Sequence, residues 1–147
     1  MTNKHHEEIL EACANGNPFA RQFCVALYEF LHLIDDLVDR DVSPPPTDEQ
    51  IGKLCVQLIL TIGGNPFYQD NRPALEALIL RGFGAWLDAN ELERNQKVEG
   101  KVLKSWYHEL FWHVSTITGG WDRSRDICRK YRAFDMSEEE VPHGLLR

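Results

Sequence analysis

Between Phe23 and Asp41 the apolar and charged residues separate with a helical period, and this constrains the fold more than any other feature of the chain. On a helix, Glu29, His32, Asp35, Asp36 and Asp39 fall within an arc of about 120°. Phe23, Ala26, Leu27, Phe30, Leu31, Leu33, Ile34, Leu37 and Val38 fill the rest of the turn. The result is a wide stripe that must be buried and one concentrated acidic edge. Each like-charged pair three or four positions apart costs the helix roughly 0.2–0.5 kcal/mol. Aspartates in the last turns also face the negative end of the helix dipole, a further ~0.3–1 kcal/mol each. Water, a basic side chain from a neighbouring helix, or a hard cation such as Mg²⁺ would offset this, since Mg²⁺ binds through one or two carboxylates plus substrate phosphates.

A stripe that wide needs partners, and the rest of the chain supplies helices. Gly, Pro and Asn breaks mark out a first helix over about His5–Ala14, closed by Asn15-Gly16, and a second from Asn17, with Pro18 at its first position, to about Asp41. Ser43 and Pro44-Pro45-Pro46 stop the second. Thr47 with Gln50 three residues on is a capping box, and it opens a third helix that runs to about Ile62. A fourth is predicted from Arg72 or Pro73 to Asn90 or somewhat beyond, a fifth over about Val98–Thr118 and a sixth over about Trp121–Phe134, the last two parted by Gly119-Gly120. No apolar run alternates with period two between tight turns. The expected fold is therefore all-α, a compact bundle of about five to six helices formed as a single domain by residues 1–134, with residues 135–147 as a mobile C-terminal tail.

With 147 residues the chain can bury a core without staples. Cys13, Cys24, Cys55 and Cys128 show no CxxC spacing and sit among apolar residues, which points to a reducing, cytoplasmic setting. The first residues lack the apolar core of a signal peptide, and no stretch approaches the length of a membrane span. A net charge of −7 argues against nucleic acid and anionic membranes as partners, because counterion release needs a basic face. Locally, Arg123, Arg125, Arg129, Lys130 and Arg132 outnumber Asp122 and Asp126, as a salt-bridging helix face or an anion site.

The acidic edge has the form DDxxD at Asp35, Asp36 and Asp39. Here the chain resembles the class I isoprenoid synthases, including the squalene and phytoene synthase branch, whose first aspartate-rich motif lies on a helix and binds Mg²⁺ that grips a substrate diphosphate. The resemblance implies Mg²⁺ as cofactor and a diphosphate-bearing small molecule as substrate. It also calls for a second metal motif on a facing helix, for which Asp88, Glu91, Asn95 and Glu99 are the candidates, and a late basic and tyrosine pair, for which Lys130, Tyr131 and Arg132 stand in a similar position. In that mechanism Arg129, Lys130 or Arg132 would stabilise the leaving group, and Glu29 or His32 would act as base if water were the acceptor. The chain is shorter than typical members, so a family-sized pocket would require a truncated or homodimeric arrangement.

The all-α nucleotide pyrophosphohydrolases are resembled more loosely: Glu8 and Glu11 followed by Asp36 and Asp39 mimic their ExxE and ExxD pairs, with aspartate in place of glutamate in the second. A zinc-protease reading of Tyr107–His113 fails on spacing, because His108 and His113 are five apart and Trp112 holds the wanted position. The remaining reading is a non-catalytic helical interaction or structural protein whose acidic edge is a solvated face. A cleft between Asp35, Asp36 and Asp39 on one side and Asp88 and Glu91 on the other would favour the metal; a flat face or an intervening side chain would favour interaction.

Overall fold

The Asn15-Gly16 break turns the chain back on itself. A computed structural model describes residues 4–39, 44–95 and 106–138, beginning with helices α1 (Lys4–Ala14) and α2 (Pro18–Asp39). Between them Asn15 (φ 49°) and Gly16 (φ 78°) take left-handed backbone, which asparagine tolerates and glycine adopts at no steric cost. Asn17 then accepts from the N–H groups of Phe19 and Ala20 and so caps the start of α2. Arg21 on α2 reaches Glu11 on α1 at 2.5 Å, so the two helices run antiparallel.

Helix α3 (Asp48–Val56) opens on the predicted capping box: Thr47 accepts from the Gln50 N–H, and the Gln50 side chain accepts from that of Thr47. The helix does not run on to Ile62 in one geometry. Gln57–Ile62 is π-helical, closed by the Gly63 N–H donating to the Leu58 carbonyl five residues back. Gly63 and Gly64 are required there, because a Cβ on either would stand 2.7 Å from the Ile59 carbonyl oxygen or 2.6 Å from that of Leu60. A short helix that sequence reasoning did not predict follows, α4 (Pro66–Asp70). Its cap, Asn65, is buried; it accepts from the Tyr68 N–H and donates to the Phe19 carbonyl and to Gln22 Oε1, tying α4 to the start of α2.

Helix α5 (Arg72–Arg94) extends past Asn90, and α6 (Trp106–Glu138) contains both predicted last helices. Gly120, at φ 83° and ψ 172°, breaks α6 into two limbs. Arg132 on the second limb reaches Glu109 on the first, and Ser124 meets Ser115 at 2.8 Å, so the limbs lie side by side and antiparallel. The second limb continues beyond Phe134 to Glu138. The predicted helix start at Val98, the end at Asp41 and residues 139–147 lie outside the described residues.

The core lies where the two hairpins meet. Ile9, Leu10 and Cys13 of α1, Phe23, Cys24 and Leu27 of α2, and Leu110, Val114 and Ile127 of α6 are buried together, joined by Phe67 of α4 and Leu75 of α5. The turns are laced as well: Asn15 Nδ2 donates to the Thr118 carbonyl at 3.0 Å, and Thr118 Oγ1 donates to that of Cys13 at 2.6 Å. Inside α6, Ser115, Thr116 and Ser124 gather on the Trp112 carbonyl. The described residues are all-α, without a strand, and none of their helices is long and apolar enough to cross a membrane.

Candidate functional site

Five members of one helix, α2, supply the acidic edge, and their neighbours decide what it can do. Glu29 accepts from the Gln57 side chain of the π-helical segment at 3.2 Å. His32 is exposed overall, but its ring packs at a tilt against that of Tyr28, with centroids 4.3 Å apart. That partial burial holds its pKa below the usual histidine value, against the upward pull of the Asp36 and Asp35 carboxylates. Asp35 and Asp36 are half-buried, and the side chain of Asp39 lies outside the described residues.

Opposite Asp35 stands an aromatic side chain. Trp86 of α5 donates its indole N–H to Asp35 Oδ1 at 2.9 Å, and Phe83 lies edge-on to both Trp86 and Phe30 of α2. Helix periodicity places Asp88 about 200° and Glu91 about 140° round α5 from Trp86, and both are exposed. Asn95 ends α5 and donates to the Glu91 carbonyl at 3.1 Å. The structure thus brings Trp86, not the predicted Asp88, Glu91 and Asn95, to the acidic edge. Among the described residues no three His, Cys, Asp or Glu side chains converge as metal ligands.

The three basic candidates are engaged within α6. Arg129 pairs with Asp126 at 2.8 Å, Arg132 pairs with Glu109 at 2.5 Å, and the Lys130 ammonium lies 5.2 Å from the Tyr131 ring centre. All are exposed, so these pairs contribute modestly. A crevice between α1, α2 and α6, lined by His6, Tyr28, Tyr107, His108 and Trp112 among others, measures about 10 Å³. That is room for about one water molecule, far below the roughly 300–1,000 Å³ of ordinary ligand pockets.

Two exposed apolar faces stand out, and the sequence reading missed both. On α5, Leu80 and Leu87 are 74% and 61% exposed. In the π-helical segment, Ile59 and Leu60 are 69% and 67% exposed, beside an exposed Val56. The signal for the α5 face was available: Ala77, Leu80, Gly84 and Leu87 follow one another at steps of three and four, a second apolar seam on a helix whose first seam, Leu75, Ile79, Phe83 and Trp86, faces the bundle. No protein-family profile, curated protein or solved structure matches the chain.

Proposed function

We propose that this chain is a helical interaction protein whose contact surface is the outward side of α5 together with the π-helical segment. The observation that supports this is the exposure of Leu80, Leu87, Ile59 and Leu60 on elements whose other faces are packed. Covering a leucine or isoleucine side chain fully is worth about 1.5–3 kcal/mol, so a partner that covers several of them gains affinity from residues that contribute little to folding. The test is site-specific photo-crosslinking in cells that naturally make the protein, with the photoreactive residue at Leu87 or Ile59 and a control at Asp126. Discrete adducts from Leu87, Ile59 or both, but not from Asp126, are expected. No adduct, or equal capture from all three positions, would overturn the proposal.

A second reading follows the resemblance to isoprenoid synthases and keeps Mg²⁺ at Asp35, Asp36 and Asp39, with a diphosphate as ligand. The observation favouring it is Asp36, half-buried and without a hydrogen bond or ion pair among the described residues. Thermal unfolding in EDTA and then in millimolar Mg²⁺ tests it. A site filled to about a hundred times its Kd would add roughly 2.7 kcal/mol of stability in wild type, and Asp36→Asn would abolish the gain. An unchanged wild-type midpoint would refute it.

A further inference from the structure

The outward face of α5 has the pattern of a helix that pairs with itself. Ala77 and Gly84 run along its centre, Leu80 and Leu87 form one edge, and Arg81 and Asp88 form the other. A Cβ built on Gly84 meets nothing within 4 Å, so another helix can approach closely there. Arg81 and Asp88 are exposed, and neither has a hydrogen bond or ion pair among the described residues. They are seven positions apart, too far to pair within one helix.

Deepening the reading of this face as an interaction surface, we propose that α5 packs antiparallel against α5 of a second copy, about a twofold axis at Gly84. That axis carries residue 88 of one helix to within one residue rise, about 1.5 Å, of the level of residue 81 on the other. Arg81 then meets the partner subunit's Asp88, and the symmetry repeats the pair. Leu80 comes opposite the partner's Leu87 in the same way. An antiparallel twofold keeps like edges together, leucine beside leucine and charge beside charge. A parallel pair would set the leucine edge of one helix against the charged edge of the other, leaving Arg81 and Asp88 unmatched. The charges therefore select both the partner and its direction.

One helix pair covers less than a standard interface, so the dissociation constant is expected on the order of 10–100 µM. The test is sedimentation velocity of the full chain over a range bracketing that value. Arg81→Glu and Asp88→Arg each set like charges across both pairs, and each is expected to weaken the dimer about tenfold or more; the double variant Arg81→Glu/Asp88→Arg restores the pairs and should return to within about threefold of wild type. Both substitutions lie at exposed positions, and circular dichroism verifies that each of the three variants is folded. A wild-type chain that stays monomeric across the range overturns the proposal, as does a dimer indifferent to the single reversals. Should the dimer instead disappear with Ile59→Ser/Leu60→Ser, the contact lies on the π-helical segment; the α5 pairing is then wrong while the interaction reading stands. A monomer whose Leu87 crosslinks a different protein likewise refutes self-pairing alone, and a monomer that crosslinks nothing refutes both.

Discussion

Two glycines in this chain are expected to respond in opposite directions to the same added methyl group. Gly120 sits at φ 83° and ψ 172°, a region that residues with a Cβ enter at a cost of about 1–3 kcal/mol. Nothing lies within 4 Å of a Cβ built there, so Gly120→Ala suffers backbone strain without a clash and without a compensating contact. Gly84 lies inside α5 with helical backbone and equally open space, so Gly84→Ala gains the helix propensity difference of about 0.5–1 kcal/mol. A chain of 147 residues unfolds with an entropy of about 0.3 kcal/mol/K, so the expected shifts are about 3–10 °C downward for Gly120→Ala and about 2–3 °C upward for Gly84→Ala. Thermal melts followed by circular dichroism at about 1 µM, below the range in which self-association matters, measure both. A neutral or stabilising Gly120→Ala would refute the fold-back of α6 at that residue.

Other outcomes follow from the same structure. Burial pushes the Cys13 thiol up to about 12 and raises Cys24 well above its usual value, while Cys55 is exposed; a disulfide reagent at pH 8 should label Cys55 rapidly and Cys13 and Cys24 only on unfolding, and rapid labelling of Cys13 would contradict the packing of α1 on α6. His32 has a lowered folded pKa, so between that value and the ordinary 6.5 the unfolded chain binds more protons. Stability relative to His32→Gln should therefore fall as pH drops from about 7.5 through 6.5 and below, and a relative rise over that interval would refute the burial of the ring on Tyr28. Ser124→Ala removes the hydroxyl shared by Ser115, Thr116 and the Trp112 carbonyl, and should cost about 1–2 kcal/mol in denaturant unfolding; no loss would show that the α6 limbs are held by other contacts.

Much of the fold was legible because its punctuation is local. Thr47 and Gln50 announce their capping box within four residues, Asn17 and Pro18 announce the start of α2, and Gly119-Gly120 marks the reversal that the Gly120 backbone carries out. Helix α4 escaped because five residues cannot show a period, and Asn65-Pro66 reads equally as a stop and as a cap. The π-helical segment escaped because its signature is a backbone bond from Gly63 to Leu58, which the apolar side chains of Gln57–Ile62 do not encode.

The acidic edge was legible as a stripe, but its environment was not. Asp88 and Glu91 share a helix face on a wheel, yet the wheel does not say which face of α5 meets α2; burial of Leu75 and contact through Phe83 and Trp86 decide that. The same ambiguity hid the exposed leucines. Leu78, Ile79 and Leu80 are alike in sequence, and the packing direction of α5 leaves Leu80 outside.

Concentration-dependent amide chemical shifts would test the account most directly, because they report the surface used and not merely that association occurs. Raising the full chain from about 20 µM to about 1 mM should move or broaden the resonances of Ala77, Leu80, Arg81, Gly84, Leu87 and Asp88, with residues on the acidic edge of α2 unaffected. Invariant α5 resonances over that range, or changes centred on Asp35 and Asp36, would contradict it.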